Sequence, residues 1–294
     1  MGKTQRLNLG LNAVASALRT RMELGTSLAD AISPLDAAER LGIDVRLVDL
    51  PSMEGMYVAG HAPQILLSVL RPMGRRSFTC AHELGHHKFG HGMQYDELVT
   101  QKSDARRSDP IEFVADCFAA FFLMPKATVD SGLQRRGLKY DALTPPDVFA
   151  LASWLGVGYA TLVNHLRLGL NTISPDTAES LGHVSPREIR QSIAGKDCEH
   201  NLHIVDRCWT GRAVDCEVGD SIILPNDTRL EGKQLAFART VDSGQLFIAK
   251  SSGIARATSN SDDWSAFVRV SPRAFVGRSC YRFEEEVEDD YTAG

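Results

Sequence analysis

The chain has 294 residues, 43% hydrophobic and 23% charged, with a net charge of −5. That composition suits one large domain or two to three smaller ones. Six of the 37 acidic residues lie in EEEVEDD, Glu284 to Asp290, so the rest is near neutral, which argues against a large electrostatic nucleic-acid surface.

Residues around 8 to 24 have helical periodicity through Leu11, Val14 and Leu18. Nothing in this opening stretch reads as a signal peptide. Ser33-Pro34-Leu35-Asp36 supplies an N-cap, a proline at N1 and an acid at N3, and Gly42 closes that short helix. Ile43 to Leu50 alternates with period two and predicts a strand, followed by short strands at Met56 to Ala59 and Ile65 to Ser68. A helix containing FTCAHELGHHKFGHG, residues 78 to 92, comes next and holds four of the nine histidines. Asp109-Pro110-Ile111-Glu112 starts another helix, and Thr144-Pro145-Pro146-Asp147 a third helical block. From 171 to about 200 the chain is polar and predicts a linker, with one short helix opened by the capping box Ser185-Pro186-Arg187-Glu188. Beyond 200 the pattern turns to strands: Leu202 to Val205, Ser221 to Leu224, Leu235 to Ala238, Leu246 to Ala249 and Ala266 to Val270. No apolar run approaches the ~18 residues of a membrane span, and none of the six cysteines forms a CxxC pair. The expectation is a cytoplasmic protein with reduced thiols and no membrane partner.

His82-Glu83-Leu84-Gly85-His86 is an HExxH. On a helix, positions i and i+4 share a face, so two imidazoles there can bind one Zn²⁺. Glu83 sits beside that metal position as the candidate general base. The plainer alternative is a helix that carries a His-Glu-His face by chance. His87 lies about 100° round the helix from His86 and is off the metal face. His91 does not fit the HExxHxxGxxH pattern either, because Phe89 and Gly92 stand where it needs Gly and His. The better third ligand is Glu112, with Asp116 one turn later, an ExxxD arrangement. Asp116 could accept a hydrogen bond from the outer nitrogen of His82 or His86. Two alternatives stay open: Glu112 as the N3 residue of a capping box, and Asp116 as a buried acid paired with an arginine.

RSFTCAHELGH ending at His86, EFVADCFA ending at Ala119 and FLMP ending at Pro125 together resemble the ImmA/IrrE metallo-endopeptidase family, over roughly residues 30 to 170. GMYV from Gly55 and ILLS from Ile65 resemble the strands that the family places before the histidine helix. Two positions depart from the usual form: Ser77, where Arg or Gln is common, and Asp116, where Asn is usual. The resemblance implies one zinc per chain on His82, His86 and Glu112, with Glu83 as base. It also implies a regulatory peptidase that cleaves a partner helix-turn-helix repressor or an antitoxin-like protein, switching on a stress or mobile-element response. The strand Ile65, Leu66, Leu67, Ser68 is the expected place for an extended substrate to pair.

Ala152 to Leu162 has the spacing of a helix-turn-helix, but its outer face offers only Asn164, His165 and Arg167. Packing beside the peptidase core is therefore the favoured reading, with direct DNA binding as the alternative. Cys198, His200, His203 and Cys208 have spacings that match no common zinc module. Some three-domain members of the resembled family end in a GAF-like module, so by position the last part is a candidate sensor domain.

The expected fold class is α+β. It comprises a zincin-like peptidase domain with a small sheet (1–140), a helix-turn-helix-like segment (141–172), a linker (173–199), a β-rich domain (200–283) and an acidic disordered tail (284–294). The leading function is a zinc-dependent, site-specific endopeptidase. The alternative is a non-catalytic DNA- or protein-binding regulator with a peptidase-like fold.

Overall fold

The computed structural model describes residues 2–92, 94–97, 109–196, 198, 200–261 and 263–285. The expected acidic tail beyond Glu285 lies outside the described residues. The fold is α+β, and the chain divides into two compact units. The first is Met1–Ile189 with Thr210–Arg212 and Val276–Cys280; the second is Arg190–Trp209, Ala213–Phe275 and Tyr281–Gly294.

The first unit opens with α1 (Lys3–Glu23) and α2 (Pro34–Arg40), the latter capped by the Ser33 side chain on Asp36 N–H. Strands β1 (Asp44–Val48), β2 (Met53–Val58) and β3 (Gln64–Ser68) precede α3 (Met73–Phe89), and β4 (Gln94–Glu97) follows it. Then come α4 (Pro110–Leu123), α5 (Lys126–Arg135), α6 (Pro145–Leu155), α7 (Tyr159–Asn164, running on through a π turn at His165–Gly169) and α8 (Pro175–Gly182); the division between the units falls within α9 (Pro186–Ala194), after Ile189. One sheet completes the unit, with strand order β13-β1-β3-β2-β4, where β13 is the late pair Gly277–Arg278.

This order corrects one expectation. Ile65, Leu66, Leu67 and Ser68 form β3, which pairs in parallel with β1 and antiparallel with β2. Both of its backbone edges are used, so it has none to offer an extended peptide. The outer strand on the β2 side is β4.

α3 and α4 form the core of the first unit. Cys80, Ala81, Leu84, Ala115, Phe118, Ala119 and Phe122 are all fully buried between them and their neighbours. Arg21 of α1 anchors this core. Its guanidinium donates to the carbonyls of Phe122 at 2.7 Å and Ser27 at 2.9 Å, and also to that of Asp30. Burial pushes its pKa down to about 10 against the pull of Asp30, so it stays cationic at neutral pH.

The helical block expected from Thr144 begins there, with Thr144 and Asp147 forming a capping box at the start of α6. Gly156, in the left-handed region at φ 70°, ends that helix, and the pair α6–α7 is bent by 100°. One outer-face assignment is corrected here. His165 is buried, with Nε2 2.8 Å from the Met124 carbonyl oxygen; it lies three residues after the buried Leu162, on the same helical face. Among the described residues no single helix is long and apolar enough to cross a membrane.

The stretch expected as a linker with one helix contains two. α8 is capped by Ser174 on Thr177 N–H, buries Ala178 and Leu181, and receives a hydrogen bond from Tyr159 Oη at the Leu181 carbonyl. Its Ser174-Pro175 start is the same signal as Ser33-Pro34. In α9 the capping box is present: Ser185 N–H donates to Glu188 Oε2, and Glu188 N–H to Ser185 Oγ.

The second unit holds two four-stranded sheets. One has the order β5 (Leu202–Ile204), β7 (Ser221–Leu224), β10 (Gly244–Ala249), β9 (Leu235–Val241). The other has β6 (Val214–Glu217), β12 (Ser265–Ser271), β11 (Gly253–Ser259), β8 (Thr228–Glu231). Each contains one parallel pair, β5 with β7 and β6 with β12. The strands β6, β8 and β11 are additions to the predicted set. β11 reads GIARATS, whose buried positions are Gly and Ala, too weakly apolar to register as an alternation.

Candidate metal centre

α3 carries His82, Glu83 and His86 inward, and all three are buried. One helical turn brings the two imidazoles together, with Nε2 atoms 2.9 Å apart. Glu112, in the first turn of α4, faces them: Oε2 is 3.4 Å from His82 Nε2 and Oε1 is 3.6 Å from His86 Nε2. The cap of α4 is the Asp109 side chain, which accepts from Ile111 N–H. The Glu112 carboxylate points to the histidines instead, so the capping-box alternative does not describe its placement.

Among the described residues, His82, His86 and Glu112 are the gathered group of metal-type donors, all within 4.8 Å of one another. Around a tetrahedral ion with bonds of ~2.0–2.2 Å, neighbouring donors stand roughly 3.3 Å apart, so this set fits Zn²⁺. The alternative of a chance histidine face predicts no such convergence with a carboxylate from another helix.

The outer nitrogens also have partners. His82 Nδ1 is 2.9 Å from Asp116 Oδ1. The Asp116 side chain is 65% exposed, which rules out the buried-acid alternative. His86 Nδ1 is 3.0 Å from His91 Nδ1. His87 turns the other way, with Nδ1 2.8 Å from Tyr57 Oη. Burial opposes a charge on His82, but hydrogen bonds to Asp116 and Glu112 and the charge of Glu83 outweigh it and hold the imidazole well above its ordinary value. The site therefore favours positive charge at this point, which a proton or a metal cation satisfies.

Glu83 lies against β2. A Cβ placed on Gly55 would come 2.9 Å from Glu83 Oε1 and 2.4 Å from Thr79 Cγ2. Gly55 thus lets β2 close on the carboxylate; the sequence pattern marks it only as part of GMYV. An apolar hollow of ≈ 260 Å³ opens beside His91, lined by Leu9, Phe89, Ile111 and Val114 among others.

Residues 38–167, which include His82, Glu83, His86, His91, Glu112 and Asp116, match the model of a peptidase family described as Peptidase_M78, the IrrE N-terminal-like domain. This segment belongs to that family. The IrrE N-terminal-like domain is of metallopeptidase type, which agrees with the His82, His86 and Glu112 cluster. A solved structure described as a Mycobacterium tuberculosis transcriptional regulator is similar at 20% identity with a TM-score of 0.34. The likeness covers 54% of this chain and 46% of that one, so the chain spans less than half of that protein's length. No curated protein matches the chain.

The Cys198, His200, His203, Cys208 set does not gather. His203 Nε2 is 3.3 Å from Asp220 Oδ2, and Cys198 Sγ faces the His200 carbonyl at 3.9 Å. Asp220 is fully buried and also accepts from Asn201 Nδ2 and from Glu217 N–H, so His203 serves a turn in the second unit.

Proposed function

We propose that the chain is a zinc-dependent, site-specific endopeptidase with a zincin-like catalytic unit. Its substrate would be a partner protein, a helix-turn-helix repressor or antitoxin, whose cleavage switches on a stress or mobile-element response. The observation that carries the catalytic reading is the convergence of His82 and His86 of α3 with Glu112 of α4, next to the buried Glu83. The membership of residues 38–167 in a peptidase family supports it.

His82, His86 and Glu112 would hold the zinc, which when bound supplies Lewis acidity and lowers the pKa of water. Glu83 then takes the proton from the attacking water and returns it to the leaving amine. Asp116 keeps His82 in the tautomer that presents Nε2 inward. With β3 enclosed in the sheet, β4 is the strand on the site's side to which an extended substrate would add. α6 and α7 bury Leu151, Trp154, Leu155, Leu162 and Leu166, which supports a packing role over DNA binding.

The test is zinc content per chain in the wild type, His86→Ala, Glu112→Ala and Glu83→Gln. One zinc in the wild type and in Glu83→Gln, lost in the other two, supports the reading. Cleavage of the partner should be abolished in Glu83→Gln. A wild type that takes up no zinc on reconstitution overturns the proposal in favour of a binding-only regulator.

A further inference from the structure

α3 stops at Phe89, and the way it stops brings a histidine back to the site. Gly90 takes the left-handed conformation at φ 63°, and its N–H reaches the last-turn carbonyls of His86 and His87. His91 N–H then donates to the His86 carbonyl at 3.1 Å. This is the backbone pattern of a glycine-ended helix, with the chain reversed over its own last turn. In a continuing helix a residue five positions after His86 would point about 140° away from it. In the reversed turn the two rings meet edge to face with centroids 5.2 Å apart, and Phe89 stacks on the far side of His91 at 5.7 Å.

Nε2 of His86 faces His82 and Glu112, so Nδ1 is its outward nitrogen, 3.0 Å from His91 Nδ1. Two ring nitrogens at that distance share one hydrogen, and a metal-binding Nε2 must be bare. We propose that His91 is a positioning residue: its Nδ1 accepts the hydrogen bond from His86 Nδ1–H and thereby fixes the tautomer and ring angle of that ligand. This rests on the metal-centre reading above. His91 would then do for His86 what Asp116 does for His82, with a neutral acceptor in place of an anion.

The full-length chain tests this by zinc competition against a chromophoric chelator, with melting temperature as a check on folding. His91→Phe keeps a ring against Phe89 and removes the acceptor; His91→Asn restores an acceptor at the Nδ1 position. Affinity should fall ~10–100-fold in His91→Phe and stay within about threefold of wild type in His91→Asn. Wild-type affinity in His91→Phe, or an equal loss in both variants, overturns the proposal. A measurement needing no variant is the ¹⁵N shift of the zinc-loaded wild type. A protonated His86 Nδ1 beside a bare His91 Nδ1 is expected, and a protonated His91 Nδ1 refutes it. If the wild type itself binds no zinc, the metal-centre reading fails and this proposal falls with it. If the wild type binds normally and His91→Phe is unaffected, only the proposal falls.

Discussion

Gly85 of the HExxH helix stands directly against Ala115 of α4: a Cβ on Gly85 would lie 3.2 Å from Ala115 Cα and 3.3 Å from Phe118 Cβ. The glycine inside the motif is therefore what allows the two helices to approach closely enough for Glu112 to reach the histidines. Gly85→Ala should force them apart by a few tenths of an ångström. The expected cost is ~1–3 kcal/mol of stability, seen as a lower melting temperature, together with weaker zinc binding than in a wild type matched for folded fraction.

A second close approach is that of Gly55 to Glu83. In Gly55→Ala the new methyl would meet Thr79 and Glu83 Oε1. Zinc content should stay at the wild-type level while partner cleavage falls, since the atoms that the methyl meets belong to Thr79 and Glu83 and to none of the three metal-type donors. Metal analysis beside a cleavage assay separates the two, and parallel loss of zinc would show that Gly55 serves the whole helix instead.

Asp116 predicts an effect on affinity alone. Asp116→Ala removes the partner of His82 Nδ1 from an exposed position, so folding should be little changed. Zinc affinity should drop ~10–100-fold. Asp116→Asn, which keeps an acceptor oxygen, should lose less.

Arg21 is a structural prediction. Arg21→Met leaves the carbonyls of Phe122, Ser27 and Asp30 without their buried donor. A loss of roughly 3 kcal/mol is expected from unsatisfied acceptors of this kind. Denaturant unfolding would measure it, and the end of α4 should be the first region to lose hydrogen-exchange protection.

What the sequence made legible was local. The HExxH and ExxxD spacings follow from the helical repeat, and Ser33, Thr144 and Ser185 announced their helices because a capping side chain acts within three residues. The unread parts are those that depend on distant partners. β3 looked like an available edge because nothing in QILLS says that β1 and β2 lie on both sides of it. His165 was assigned outward because nothing local says that the Met124 carbonyl waits for its ring. His91 was set aside as a ligand because it stands one place off the HExxHxxGxxH pattern, and that pattern does not show that the chain reverses at Gly90 and brings His91 back to His86.

The sheet of the first unit also takes in residues from far along the chain. Gly277 and Arg278 pair with Leu47 and Arg46, Arg278 Nε donates to Asp44 at 2.8 Å, and Ser279 Oγ donates to Glu39. Thr210 accepts from Trp154 Nε1 at 3.3 Å. During synthesis, which adds about 5–20 residues per second, β1 must therefore wait with one side unpaired until the ribosome has passed the whole β-rich segment. The helices α3 and α4 can pack early, but the sheet beside them is finished only after Gly277 and Arg278 have been made.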